Sequence, residues 1–185
     1  IYAVGRKLSA DGVTTLATVP SETTQYGPGN MVPIMVQFEY KVPARTVMCV
    51  GDSITEGGGY QTYNYDSFCT RAIFAISTKT NPINVVNLGM SSQPSSNYME
   101  HAEEMLDSGV RPTDIVIEGY SPNDVTASTY TNQARQARIY SLIQKARKIN
   151  AKVYLWTFGI SAGNQYADAS VAWTRDLASK GLVTL

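Results

Sequence analysis

The chain has 185 residues, of which 43% are hydrophobic and 16% are charged, enough for one globular domain with a substantial buried core. Fifteen basic and fifteen acidic residues give a formal net charge of zero, and no Lys/Arg cluster could neutralise a run of phosphates, which argues against a nucleic-acid partner. The longest apolar runs are strand-sized and fall well short of the ~18 residues of a membrane span.

Residues 1–44 form a β-rich N-terminal segment. Strands are predicted at residues 13–19 and 33–40, joined by a turn-forming cluster at residues 26–30. Two strands are too few for a sandwich, so this segment is either the edge of a preceding accessory β domain or an appendage of the main domain. Pro43 marks the predicted boundary with a second domain, residues 45–185. The first seven residues carry no signal-peptide pattern and no initiating methionine, so they predict no compartment.

From residue 45 onward, apolar strands alternate with amphipathic helices. This alternation predicts a three-layer α/β/α sandwich around a parallel sheet of five strands. In such sheets, functional sites form beyond the carboxyl ends of the strands. Strands are predicted at residues 46–50, 83–88, 114–118, 152–156 and 182–185, and helices at residues 66–78, 97–108, 131–149 and 166–179.

The two cysteines, Cys49 and Cys69, lie in the first of these strands and the first of these helices. Two cysteines give neither a disulfide framework nor a metal-ligand spacing. We therefore expect two buried free thiols that pack as small hydrophobic side chains. No metal ion or other cofactor is predicted.

Three residues follow directly after predicted strands and are therefore expected at one edge of the sheet: Ser53, Gly89 and Asn123. Each also has a purely structural interpretation. Ser53 with Glu56 fits the S-x-x-E capping box, in which the serine only caps the following helix. Gly89 could end a strand where the backbone must turn, and Asn123 could stabilise an Asx-type turn.

Taken together, Gly51-Asp52-Ser53, Gly89 and Asn123-Asp124 resemble the motifs of the SGNH hydrolase superfamily, the GDSL esterases and lipases, in residues and in order. The resemblance covers residues 45–185 and implies a flavodoxin-like strand order. It also implies that Ser53 is the nucleophile, and that the Ser53 N–H, the Gly89 N–H and the Asn123 side-chain amide form the oxyanion hole. One residue departs from the family pattern Gly-x-Asn-Asp: Ser121 occupies the glycine position.

The family takes its catalytic base from an Asp-x-x-His motif after the last strand, and this sequence contains no such motif. The sole histidine, His101, lies among three glutamates on the polar side of a predicted helix. We expect it to be a solvated helix residue rather than the partner of Ser53. The resemblance then implies that the segment carrying the base lies beyond residue 185.

Two non-catalytic alternatives remain open. The glycine run at residues 57–59 and the helix start at Ser53 could cradle an anion, although residues 51–60 lack the lysine of a P-loop. A degenerate hydrolase fold could instead serve as a carbohydrate-binding or structural module.

The substrate is predicted only by class. Tyr60, Tyr63, Tyr65 and Tyr120 lie close to the motifs in sequence and could stack on sugar faces or simply pack as core and surface residues. The sequence has no long apolar lid. A β-rich segment before the hydrolase domain resembles the layout of some carbohydrate esterases. We therefore expect a small-molecule or carbohydrate ester, with O-acetyl groups favoured.

Overall fold

A computed structural model gives the fold of the chain, which divides into two compact units, Ile1–Lys41 and Val42–Leu185. In the first unit, β1 (Arg6–Leu8) pairs antiparallel with β2 (Thr14–Leu16), which lies inside the strand predicted at residues 13–19. The turn predicted at residues 26–30 and the strand predicted at residues 33–40 lie outside the described residues. The structure describes residues 6–8, 14–16, 42–57, 67–119, 121–125, 132–156 and 165–184.

The second unit contains the predicted alternation of strands and helices. Two short elements were not predicted: the four-residue helix α1 and a 3-10 helix after β5, both too short to show a hydrophobic period. The elements are β3 (Arg45–Gly51), α1 (Ser53–Glu56), α2 (Phe68–Ile76), β4 (Ile83–Gly89), α3 (Ser95–Asp107), β5 (Asp114–Glu118), the 3-10 helix (Pro122–Val125), α4 (Asn132–Lys148), β6 (Lys152–Trp156) and α5 (Gln165–Ser179).

The four strands β3 to β6 form one parallel sheet in the order β4-β3-β5-β6. Val47 at the centre of β3 pairs with Val85 on one side and Asp114 on the other. This is the flavodoxin-like order implied by the family resemblance, and the parallel α/β prediction is confirmed. The described sheet nevertheless has four strands rather than the predicted five. At the fifth position there is a single parallel bridge between Tyr154 and Thr184.

Helices cover both faces of this sheet, because side chains along each strand alternate between the faces. On one face, Met48, Val50 and Ile117 pack with the buried residues of α3 and α4. On the other face, Val47 and Cys49 pack with Cys69 and Ile73 of α2. Both cysteines are free and buried, as predicted. Within the described ranges, no helix combines the length and the apolarity that crossing a bilayer requires.

Candidate active site

The carboxyl ends of β3, β4 and β5 meet at one edge of the sheet and bring the motif residues together. Asn123, after β5, places its side-chain Nδ2 3.4 Å from Oδ2 of Asp52, the residue before Ser53. The same Nδ2 donates to the Gln93 carbonyl, in the connection after β4, at 3.1 Å. Segments far apart in sequence thus contribute to a single cluster.

The turn that carries Ser53 is capped by Asp52. The Asp52 Oδ1 accepts the Ile54 N–H at 2.9 Å, so Asp52 is the N-cap and Ser53 is the first residue of α1. The capping-box interpretation of Ser53 is therefore wrong by one position. Within the described part of the chain, the half-buried Ser53 hydroxyl makes no hydrogen bond. Its N–H, at the first position of the helix, has no intrahelical acceptor.

Beneath this turn lies the carboxyl group of Glu118, the last residue of β5, which is fully buried. Its Oε2 accepts the Asp52 N–H and the Thr55 hydroxyl, both at 3.0 Å. Burial raises the pKa of Glu118 to about 8, and the nearby Asp52 carboxylate adds to that rise. A Cβ on Gly51 would overlap Thr55 Oγ1 and Glu118 Oε2, so this close packing requires glycine.

Sequence reasoning missed Glu118. In the sequence, Glu118 is only the polar residue at the end of the apolar strand predicted at residues 114–118, and polar residues commonly end strands. The available signal was a glutamate directly after Ile117 in a strand expected to be covered on both faces. A buried carboxyl group needs hydrogen-bond partners, but the sequence did not indicate which residues would supply them.

Gly89 lies at the predicted edge, and its role as an oxyanion donor stays a prediction. Its N–H donates to Asn87 Oδ1 at 2.9 Å, so this donor already has an acceptor. A Cβ at Gly89 would overlap the backbone of Glu56. Gly89 is thus required for the close approach of α1 to the end of β4. The interpretation of Gly89 as a glycine demanded by the local backbone accounts for this geometry better than an oxyanion donor does.

The turn between β4 and α3 contains a second residue that the sequence did not single out. Ser92 has φ +60°, in the left-handed region that favours glycine. Two residues earlier, Met90 donates its N–H to the Gly51 carbonyl at 2.9 Å, which ties this turn to the turn that carries Ser53. Strained residues of this kind cluster at functional sites, but a serine in a run of polar residues gave no signal of strain.

Ser121, the departure from the family pattern, has a defined place in the cluster. Its hydroxyl donates to Asp52 Oδ2 at 2.7 Å and accepts the Asn123 N–H at 3.2 Å. The serine side chain therefore links the cap of α1 to the backbone of Asn123.

The neighbouring Asp124 anchors the start of α3. Its carboxylate accepts the Ser95 N–H at 2.7 Å and the Ser95 hydroxyl at 2.8 Å. Arg135 Nη1 lies 3.9 Å from the same carboxylate. Burial raises the pKa of Asp124, whereas its bonds to Ser95 and the charge of Arg135 oppose that rise.

His101 lies on α3, six residues beyond Ser95, which corresponds to about 9 Å along a helix axis. Its side chain is half-buried rather than fully solvated, and its Nδ1 lies 3.6 Å from Glu104 Oε2. No hydrogen bond joins it to Ser53 in the described part of the chain.

Several other predicted contributors lie outside the described residues: Gly58, Gly59, Tyr60, Tyr63, Tyr65 and Tyr120. Across the described ranges, no three His, Cys, Asp or Glu side chains are grouped as a metal ion would require.

Solved structures with this architecture include several esterases. The chain is similar to TesA, with 24% identity over 76% of this chain and 77% of that one and a TM-score of 0.63. It is also similar to AlinE4, an SGNH-hydrolase family esterase, with 17% identity over 77% of this chain and 75% of that one and a TM-score of 0.62. A third is the psychrotrophic esterase EstA from Pseudoalteromonas sp., with 16% identity over 76% of each chain and a TM-score of 0.59. At these identities the likeness concerns the fold, which is that of the SGNH hydrolases.

The sequence places the chain more specifically. Residues 49–184 match the GDSL-like lipase/acylhydrolase family, and the chain belongs to that family. No curated protein matches the chain significantly in sequence.

Proposed function

We propose that this protein is a serine esterase that hydrolyses carboxylic ester bonds through an acyl-enzyme on Ser53. The observation that carries the proposal is the placement of Ser53. Asp52, not Ser53, caps α1, which leaves the Ser53 hydroxyl available in a turn whose Asp52 carboxylate lies 3.4 Å from the Asn123 side-chain amide.

In the first step, Ser53 Oγ attacks the ester carbonyl carbon and its proton passes to a general base. The alcohol then leaves with a proton, and water releases the acid from Ser53 in the second step. The family takes its base from an Asp-x-x-His motif, which these 185 residues do not contain. His101, bound to Glu104, is not assigned that role.

The oxyanion formed in each step needs donors. The Ser53 N–H and the Asn123 amide are the two proposed donors, and one such donor contributes about 3–4 kcal/mol to lowering the barrier. The Asn123 Nδ2 can take part only if it turns from Gln93 or Asp52 toward the oxyanion. The Gly89 N–H can take part only if it leaves Asn87 Oδ1.

For the substrate we propose O-acetyl groups on carbohydrates. The support comes from the sequence: tyrosines close to the motifs, no long apolar lid, and a β-rich segment before the hydrolase domain. We therefore expect the acid part of the ester to be small, such as an acetyl group.

A covalent fluorophosphonate probe, applied to the full-length protein and its variants, tests the nucleophile. We expect one probe per chain on Ser53, lost in Ser53→Ala and retained in Ser108→Ala, a matched change at an exposed serine after α3. A non-catalytic carbohydrate- or anion-binding module would leave all three proteins unlabelled, and that result would refute the esterase proposal.

A substrate comparison tests the finer proposal. Acetate release from acetylated xylan and from p-nitrophenyl acetate should depend on Ser53, while p-nitrophenyl esters of long acids should react more slowly. Preference for the long-chain esters would show that the acetyl-carbohydrate assignment is wrong while leaving the esterase class intact.

A further inference from the structure

The carboxyl group of Glu118 is placed to control the geometry of the Ser53 turn. Its two hydrogen bonds go to Asp52, the N-cap residue directly before Ser53, and to Thr55, two residues after Ser53 in α1. Both bonds end on the same oxygen, Oε2. The other oxygen, Oε1, is buried and has no hydrogen-bond partner in the described part of the chain.

We infer that Glu118 is a positioning residue for the esterase reaction, and that its carboxyl group fixes the turn that carries Ser53. This inference rests on the proposed function. Glu118 comes from β5, whereas Asp52 and Thr55 follow β3, so its two hydrogen bonds join the ends of neighbouring strands at the edge where the reaction is proposed to occur.

Hydrogen bonds hold Asp52 from several sides. Glu118 accepts its N–H, Ser121 donates to Oδ2, and the Ile54 N–H donates to Oδ1. Glu118 and Ser121 belong to one continuous segment that also carries Asn123. That segment therefore sets both the orientation of the nucleophile and the position of the amide donor.

The surroundings favour the neutral carboxyl group. The ionisable groups that interact with Glu118 are Asp52 from the Ser53 turn and Tyr98 from α3, and the Tyr98 hydroxyl also senses the charges of Asp124 and of Arg135 on α4. Arg135 lies close to Asp124, and the Tyr98 hydroxyl donates to the Glu118 backbone carbonyl. Burial and the Asp52 carboxylate raise the pKa of Glu118 to about 8.

Ionisation of Glu118 would add a second negative charge next to Asp52, at a site proposed to stabilise an oxyanion. The rate of Ser53-dependent hydrolysis should therefore fall as Glu118 loses its proton. A glutamine side chain preserves the acceptor oxygen for Asp52 and Thr55 and cannot ionise, so it imitates the protonated acid.

The experiment compares wild type, Glu118→Gln, Glu118→Ala and the exposed control Glu104→Gln in p-nitrophenyl acetate hydrolysis from pH 6 to 9.5, corrected for the uncatalysed rate. At pH 7, we expect Glu118→Gln to keep kcat within about threefold of wild type. Glu118→Ala should lower kcat by roughly 10–100-fold with little change in KM, because a small misplacement of the nucleophile has an effect of that size. The fall in rate near pH 8 should be present in wild type and Glu104→Gln and absent in Glu118→Gln.

A second readout does not require activity. In the NMR spectrum of Ser53→Ala protein with 13C-labelled glutamate, one carboxyl resonance should titrate near pH 8. That resonance should be absent from the double variant that also carries Glu118→Gln. If wild type reacts with the fluorophosphonate probe but Glu118→Gln keeps the wild-type pH profile, or no carboxyl group titrates near pH 8, the positioning role is refuted and the esterase function stands. If wild type neither reacts with the probe nor hydrolyses ester, the proposed function fails and the inference fails with it.

Discussion

Asn87, on β4, donates its side-chain amide to the carbonyl of Thr55, at the end of α1, at 2.9 Å. The same amide donates to Ser67 Oγ at 3.0 Å, at the N-cap of α2. Its Oδ1 accepts the Gly89 N–H. One side chain thus joins the end of a strand to two helices beside the proposed nucleophile.

Asn87→Ala should lower the free energy of unfolding by about 2–3 kcal/mol, because it leaves partly buried polar groups of Thr55, Ser67 and Gly89 without their partner. Urea unfolding at constant m-value measures the change. Asn81→Ala, at an exposed asparagine before β4, serves as the control and should leave the midpoint unchanged. Equal midpoints for the two variants would show that the Asn87 bonds contribute nothing to stability.

Asn123→Ala should lower kcat by roughly 10²–10³-fold with little change in KM, the size found when one oxyanion donor is removed. Asn123→Asp should be at least as slow, because a carboxylate cannot donate and would lie beside Asp52. Steady-state hydrolysis of p-nitrophenyl acetate measures both. Activity in Asn123→Asp close to that of wild type would exclude the amide as a donor.

His101→Ala should leave Ser53-dependent hydrolysis within about twofold of wild type, because His101 contacts Glu104 rather than Ser53 and removing a true triad base costs several orders of magnitude. The measurement uses His101→Ala with Ser53→Ala as the inactive reference. Turnover that depends on Ser53 and is abolished by His101→Ala would identify His101 as the base.

Gly89→Ala should destabilise the protein by several kcal/mol and reduce activity, since its Cβ must displace the Glu56 backbone in a closely packed region. Gly109→Ala is the informative comparison. Gly109 has φ +103° and open space around it, so only backbone strain opposes the change, at about 1–2 kcal/mol. Thermal unfolding and hydrolysis rates separate the two effects, and a milder result for Gly89→Ala than for Gly109→Ala would contradict the packing argument.

The stability of the wild-type protein should fall relative to Glu118→Gln as the pH rises from about 4.5 to about 8. The folded-state pKa of Glu118 is raised to about 8 from the usual 4.5, so the folded protein binds more protons than the unfolded chain across that range. The stability that the protonated Glu118 contributes to the folded protein is complete below about pH 4.5 and is lost above about pH 8. Urea titrations of both proteins at several pH values measure the difference, and parallel curves would contradict the raised pKa.

Much of the fold could be predicted because the strands are short apolar runs and the helices carry regular apolar stripes. The approach of the turn after β3 to the turn after β5, seen between Asp52 and Asn123, also followed from the sequence, since parallel strands present their carboxyl ends at one edge. The features that the sequence did not predict depend on individual hydrogen bonds. Asp52 and Ser53 both have side chains that cap helices well, and the choice between them depends on partners from β5.

Gly89 illustrates the same limit. It was predicted directly after a strand and is the last residue of β4, but the partner of its N–H depends on the rotamer of Asn87, which local sequence does not determine. The Ser121 hydroxyl fills a place where the family has glycine, and its bond to Asp52 spans 69 residues. A local sequence pattern cannot predict a contact between residues that lie this far apart in the chain.

The strand order also has a consequence for how the chain folds. β3 lies between β4 and β5, and the Asp52–Glu118 bond joins residues 66 positions apart. β3, α2 and β4 can associate as soon as they are formed, whereas the Ser53 turn acquires its support only when β5 arrives on the other side of β3. Because such non-local strand pairing is slow, helical structure should form during refolding well before Ser53 becomes able to react with an electrophile.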